Sequence, residues 1–169
     1  FGPHAPYSNS AETYRRIRER ADHYGVGIHT HLAETRQELA LVRERYGTTP
    51  VRWLHDLGIF RGRVVAAHCV HLQEEDMDIL ASCGVGVAYN PTSNAKMAAG
   101  VAPAVEMVRR GVRVGLGTDS NLSNNNLDMF EEMRTGAFLQ KLFCDDPGVM
   151  PAYQVLEMAT LAGARCLGM

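Results

Sequence analysis

No apolar run in this sequence approaches the about 20 residues a membrane-spanning helix needs. Charge of one sign is not in excess: 17 Lys and Arg face 19 Asp and Glu, a net charge of −2. That leaves no electrostatic footprint for nucleic acid or an anionic membrane surface. The four cysteines, Cys69, Cys83, Cys144 and Cys166, form no CxxC pair, which argues against a zinc knuckle or a compact disulfide framework. Reduced cysteines in a cytoplasmic protein are the simplest reading. The opening Phe1-Gly2-Pro3-His4 has neither the basic start nor the apolar core of a signal peptide. Repeats, a P-loop and a GxSxG elbow are missing. Gly115-Leu116-Gly117 is not a dinucleotide fingerprint, because Ser120 stands where the next glycine is needed.

What is present is a globular mix, 46% hydrophobic and 21% charged over 169 residues, enough for one core. Short β-rich runs alternate with amphipathic stretches. Strands are expected at Gly27–Leu32, Arg63–Cys69, Val85–Asn90 and Val112–Gly117. Asn9 with Glu12 resembles a capping box, and Tyr14, Ile17, Ala21 and Tyr24 follow at helical spacing up to Gly25. A second helix runs through Leu39, Val42 and Tyr46 to Gly47, and Thr49-Pro50 opens a third. Further helices are expected at Glu74–Cys83, Pro103–Arg110, Asn126–Phe143 and from Pro151 to Ala162. This alternation implies an α/β fold of parallel strands in right-handed βαβ units. With a clipped strand before Pro3-His4, the chain makes half of a (β/α)8 barrel, which takes about 250 residues.

Polar residues gather where the strands end, the place barrel enzymes keep their active sites. In Gly27–His31 the two histidines share one face, opposite Ile28, Thr30 and Leu32. His29 and His31 are expected to point into the barrel, with His29 nearly 7 Å deeper at about 3.3 Å rise per residue. His68 ends its strand on the Val64/Ala66 face, also expected inward. Asp119 follows Gly115 and Gly117, two glycines expected to leave space beside the carboxylate. Taken singly, each is an ordinary hydrogen-bonding residue, and for His29 that reading stands. His23, His55 and His71 lack the placement and read as surface or packing residues. Jointly, His31, Glu34, His68 and Asp119 suit a single divalent metal. Zinc is the first choice and iron or manganese fit the same donors. Glu34 is placed to work as an acid/base beside the metal.

These residues sit in recognisable stretches: Gly2–Ser8, His31–Thr35, Ala66–Leu72, Asn90–Met97 and Gly117–Arg134. The chain resembles the methylthioadenosine/S-adenosylhomocysteine deaminases of the amidohydrolase superfamily. The resemblance implies a partial (β/α)8 TIM-type barrel from the end of strand four through strand eight, residues 1–169 being a single fragment of its C-terminal half. It implies a hydrolase that deaminates a purine-nucleoside-like small molecule with a zinc-activated water. His31 and Asp119 would be metal ligands, and Glu34, His68 and Asp119 catalytic. His4 would line the substrate pocket near the sugar. The first-strand HxH, two further ligands in that family, is absent from this chain. Tyr89 and Ala95 depart from the family pattern and are expected beside the barrel mouth. Related readings are a guanine deaminase, a triazine chlorohydrolase or a non-catalytic truncated fragment. A homo-oligomer is expected of the parent, and the chain alone is expected to be inactive and to self-associate through open sheet edges.

Overall fold

A computed structural model describes all 169 residues. Its frame is a four-stranded sheet in the order β1 (Ile28–Leu32), β2 (Val64–His68), β3 (Gly86–Tyr89) and β4 (Arg113–Leu116). Every neighbouring pair is parallel, with Ile28 opposite Val64, Val65 opposite Gly86 and Gly86 opposite Arg113. All four expected strands are present, each trimmed by a residue at one or both ends. The expected clipped strand is not formed as a fifth strand, although residues 1–4 hydrogen-bond along the outer edge of β1. The Phe1 ammonium donates to the Gly27 carbonyl at 2.9 Å. His29 N–H donates to Phe1 at 2.8 Å and His31 N–H to the His4 carbonyl at 3.0 Å.

Helices fill the connections. α1 (Ala11–Tyr24) closes at Gly25 with φ 65°, and α2 (Arg36–Tyr46) at Gly47 with φ 73°, both left-handed conformations that glycine adopts without a Cβ penalty. The start of α1 corrects the expected Asn9 box. Ser10 is the cap, its hydroxyl accepting the Thr13 N–H at 3.1 Å, while the Asn9 amide is turned back to the Ala5 carbonyl. α3 (Pro50–Asp56) opens behind Thr49 as expected. α4 (Glu74–Ser82) precedes β3, and α5 (Pro91–Lys96) follows it. α6 (Ala104–Arg109) leads into β4, and α7 (Asn121–Asn124) comes after it. α8 (Met129–Cys144) starts three residues later than expected, because Asp128 takes the cap by accepting the N–H groups of Phe130 and Glu131. The final helical run is divided at Thr160 into α9 (Ala152–Ala159) and α10 (Leu161–Cys166).

The strand register sorts residues by face. Ile28, Thr30, Leu32, Val64, Ala66, Val87 and Val114 share the side covered by helices, and all but Thr30 belong to one buried core of 31 hydrophobic residues. Thr30 joins that side by hydrogen bonding to Tyr14 of α1 at 2.9 Å. Tyr14 in turn packs edge-on against Trp53 of α3 at 5.6 Å. His29, His31, Val65, Ala67, Ala88 and Gly115 face the other way, as expected for the histidines. Tyr89 corrects its expected place. It is buried on the helix side, its hydroxyl accepting from Gln140 of α8 at 3.1 Å, and burial raises its pKa to about 12. The glycines in and just after β4 also differ from expectation. A Cβ on Gly115 would stand 2.7 Å from the Gly163 Cα of α10, and one on Gly117 would stand 2.5 Å from Asn90 Oδ1. The missing side chains admit α10 and Asn90 rather than leaving space beside Asp119. No helix is long and apolar enough to cross a membrane.

Candidate metal-binding active site

Three strand ends deliver the candidate residues, and each does so through backbone that is rare for a residue with a side chain. His31 lies on β1, one residue before its end, and Ala33 just beyond has φ 51°. His68 closes β2 with φ 74°, followed by Cys69 at φ 51°. Asp119, three residues past β4, has φ 60°. Left-handed conformations at non-glycine residues cost about 1–3 kcal/mol each and collect where a side chain must be aimed. His68 shows the aiming most directly. It pairs with Leu32, so strand alternation would turn it toward the helices along with Val64 and Ala66. The expected inward direction therefore did not follow from that face. The left-handed turn swings the ring back, to stack on His31 at 5.3 Å and 25°.

The result is a cluster. One ligating atom each of His31, His68 and Asp119 lies within 4.8 Å of the others. Hydrogen bonds set what these atoms offer. His31 Nδ1 is 2.7 Å from the His4 carbonyl, which only accepts, so Nδ1 carries the hydrogen and Nε2 of the neutral ring keeps its lone pair. His68 Nδ1 is likewise 2.8 Å from Asn94 Oδ1, leaving Nε2 toward the cluster. Asp119 Oδ2 accepts from the hydroxyls of Ser93 and Ser123, each at 2.7 Å. Burial pushes the Asp119 pKa up. The hydroxyls of Ser123 and Ser93, the Ser120 N–H and the nearby His68 outweigh it and hold the carboxyl below its usual value. Glu34 stands beside the cluster, its Oε1 3.9 Å from His68 Nε2.

His4 lies at the rim, exposed, its ring 4.9 Å from that of His31 and its Nδ1 3.0 Å from the Ser8 hydroxyl. His29 stays outside the cluster; burial, then the charges of His31, His68 and the N-terminus, lower its pKa. His71 is tied to the Ala99 carbonyl at 2.9 Å, His55 pairs with neighbouring Asp56, and His23 packs on Tyr24. The five expected residues are thus together and the other histidines apart.

Residue-by-residue reading missed the second layer. Ser93 and Asn94 sit on α5, and Ser123 on α7. Behind them the buried Glu132 accepts from Asn124 Nδ2 at 2.6 Å and from Thr92 N–H at 3.3 Å, tying α8 to both short helices. The available signal was position: Asn90–Met97 and Gly117–Arg134 each follow a strand end.

Known proteins share this chain's sequence and fold. A model of the amidohydrolase family matches residues 1–169. The chain is 57% identical over 169 residues to a 5-methylthioadenosine/S-adenosylhomocysteine deaminase of Desulfitobacterium hafniense, covering 100% of this chain and 39% of that protein. It is 50% identical over 168 residues to a 5'-deoxyadenosine deaminase of Methanosarcina mazei, covering 99% and 39%. A zinc-bound crystal structure of an adenosine deaminase from Xanthomonas campestris superposes with a TM-score of 0.96 at 41% identity, covering 99% of this chain and 38% of that one. The chain therefore spans about 39% of the length of the curated relatives it matches and carries part of their barrel. With a family model matched from its first residue to its last, the chain belongs to the amidohydrolase family.

Proposed function

We propose that the full-length protein carrying this chain hydrolytically deaminates an adenosine-type nucleoside of the S-adenosylhomocysteine or methylthioadenosine class. The observation that carries the reading is the convergence of His31, Glu34, His68 and Asp119 at three strand ends. The similarity to relatives named as deaminases of such compounds supports the substrate class. The donors fit a divalent metal: two imidazoles with Nε2 free and one ionised carboxylate suit zinc, and the zinc-bound relative has the same fold. His31 and Asp119 would hold it, together with ligands from outside this chain. Such an ion supplies Lewis-acid activation, bringing the pKa of water to about 7.

The chain's own residues do the rest. His68 Nε2 orients the attacking water, and Asp119 receives its proton. Water adds to the amine-bearing ring carbon while Glu34 protonates the adjacent ring nitrogen. Asp119 then returns its proton to the amine, which leaves as ammonia, while Glu34 takes back the hydroxyl proton of the adduct as the ring carbonyl forms. His4, at the rim, contacts the sugar side of the substrate. The test is ammonia release by the zinc-loaded full-length protein offered S-adenosylhomocysteine, methylthioadenosine, adenosine, guanine and a chlorotriazine. Turnover of the adenosine compounds is expected, falling about 10²–10⁴-fold in Glu34→Gln, the usual worth of a positioned acid/base. No ammonia from any adenosine compound overturns the substrate class. Full activity in Glu34→Gln overturns the shuttle.

A further inference from the structure

The reaction above gives Glu38 no part, although Glu38 is a carboxylate only 1% exposed within one turn of Glu34. It is the third residue of α2. Thr35 caps that helix by accepting the Glu38 N–H at 3.1 Å. In the reciprocal capping box, the glutamate side chain would return to the N–H of the cap residue itself. Glu38 reaches further back. Its Oε1 accepts the Ala33 N–H at 3.0 Å, and its Oε2 accepts the Glu34 N–H at 2.8 Å. Burial pushes its pKa up, and the two amide bonds pull the other way. Both oxygens of a desolvated carboxylate are thus spent on two consecutive amides of one turn. That turn holds Ala33 at φ 51° and sends the Glu34 side chain toward His68.

We propose that Glu38 is a positioning residue for the proton transfer, its forked carboxylate fixing the Ala33–Glu34 turn so that Glu34 stands over the donor cluster. The inference rests on Glu34 being the proton shuttle. A glutamine at this position keeps the size but has one acceptor oxygen, and its NH2 group meets an N–H donor. One of the two turn bonds is lost and two donors are set facing each other.

The experiment compares wild type, Glu38→Gln, Glu34→Gln and the double variant in the zinc-loaded full-length protein. In Glu38→Gln, kcat is expected to fall about 10–100-fold, as for other residues that orient a reacting group, with KM and zinc content unchanged. The double variant is expected to be no slower than Glu34→Gln alone, because a residue acting through Glu34 adds nothing once Glu34 is gone. Losses that multiply in the double variant, or a change in KM or zinc content in place of kcat, overturn the proposal. Hydrogen exchange gives a reading independent of turnover. The Ala33 and Glu34 amides are expected to exchange at least tenfold faster in Glu38→Gln, at an unfolding temperature close to wild type. Unchanged exchange at those two amides overturns the proposal whatever the activity. Glu34→Gln as fast as wild type, or no ammonia at all, defeats the shuttle reading instead, and the exchange rates still decide whether Glu38 holds the turn.

Discussion

Removing the hydroxyl of Ser93 or Ser123 tests whether Asp119 is held for a metal. Both hydroxyls bond the same oxygen, Oδ2, at 2.7 Å, and neither touches Oδ1. The carboxylate is thereby fixed in rotation, with Oδ1 left to ligate. A hydrogen bond to a charged group contributes about 1.5–3 kcal/mol, and the lower end applies here because Asp119 is half-buried and Ser123 is partly exposed. A loss of about 1.4 kcal/mol is a tenfold weakening of binding. Ser93→Ala and Ser123→Ala are therefore each expected to weaken zinc binding by the full-length protein about tenfold. In either single variant the remaining hydroxyl still restrains Oδ2. The double variant leaves only the Ser120 N–H on the carboxylate and is expected to lose more than the product of the two. The assay is competition with a chromogenic chelator at pH 7.5, well above the carboxylate range, so that protonation of Asp119 plays no part. Unfolding temperatures of the metal-free proteins are measured alongside. Single variants within twofold of wild type would refute the orienting role. So would a loss of affinity matched by an equal loss of metal-free stability, which would mark the serines as fold support.

Gly115→Ala is expected to destabilise the full-length protein by about 1–3 kcal/mol, the usual cost of overpacking, because the new Cβ would stand 2.7 Å from the Gly163 Cα. Denaturant unfolding checks this, and an unchanged midpoint would mean that α10 yields freely. The 169-residue chain produced alone is expected to self-associate, since β4 hydrogen-bonds a strand on one side only, and to release no ammonia from adenosine. Light scattering showing a clean monomer with deaminase activity would refute both parts.

Periodic features of the chain were legible and aimed features were not. The strands beginning at Ile28 and Val64 announce themselves as short β-rich runs, and alternation alone assigns His29 and His31 to one face. The glycines at 25 and 47 end helices because each takes a positive φ, so composition carried that information as well. His68 is the contrary case. Its strand face points to the helices, and only a left-handed φ, invisible in a histidine codon, brings its ring to His31. α5 and α7 escaped for a related reason: Asn, Ser and Thr compete for backbone hydrogen bonds and read as loop. Yet these short helices hold Ser93, Asn94 and Ser123 against the cluster. The supporting bonds also join residues that no local pattern links, such as Ser93 to Asp119, 26 positions apart. Donor types and strand ends therefore suffice to place the candidate ligands. What each ligand atom offers a metal depends on partners such as the His4 carbonyl and Asn94, whose contribution is fixed only when the strand ends meet.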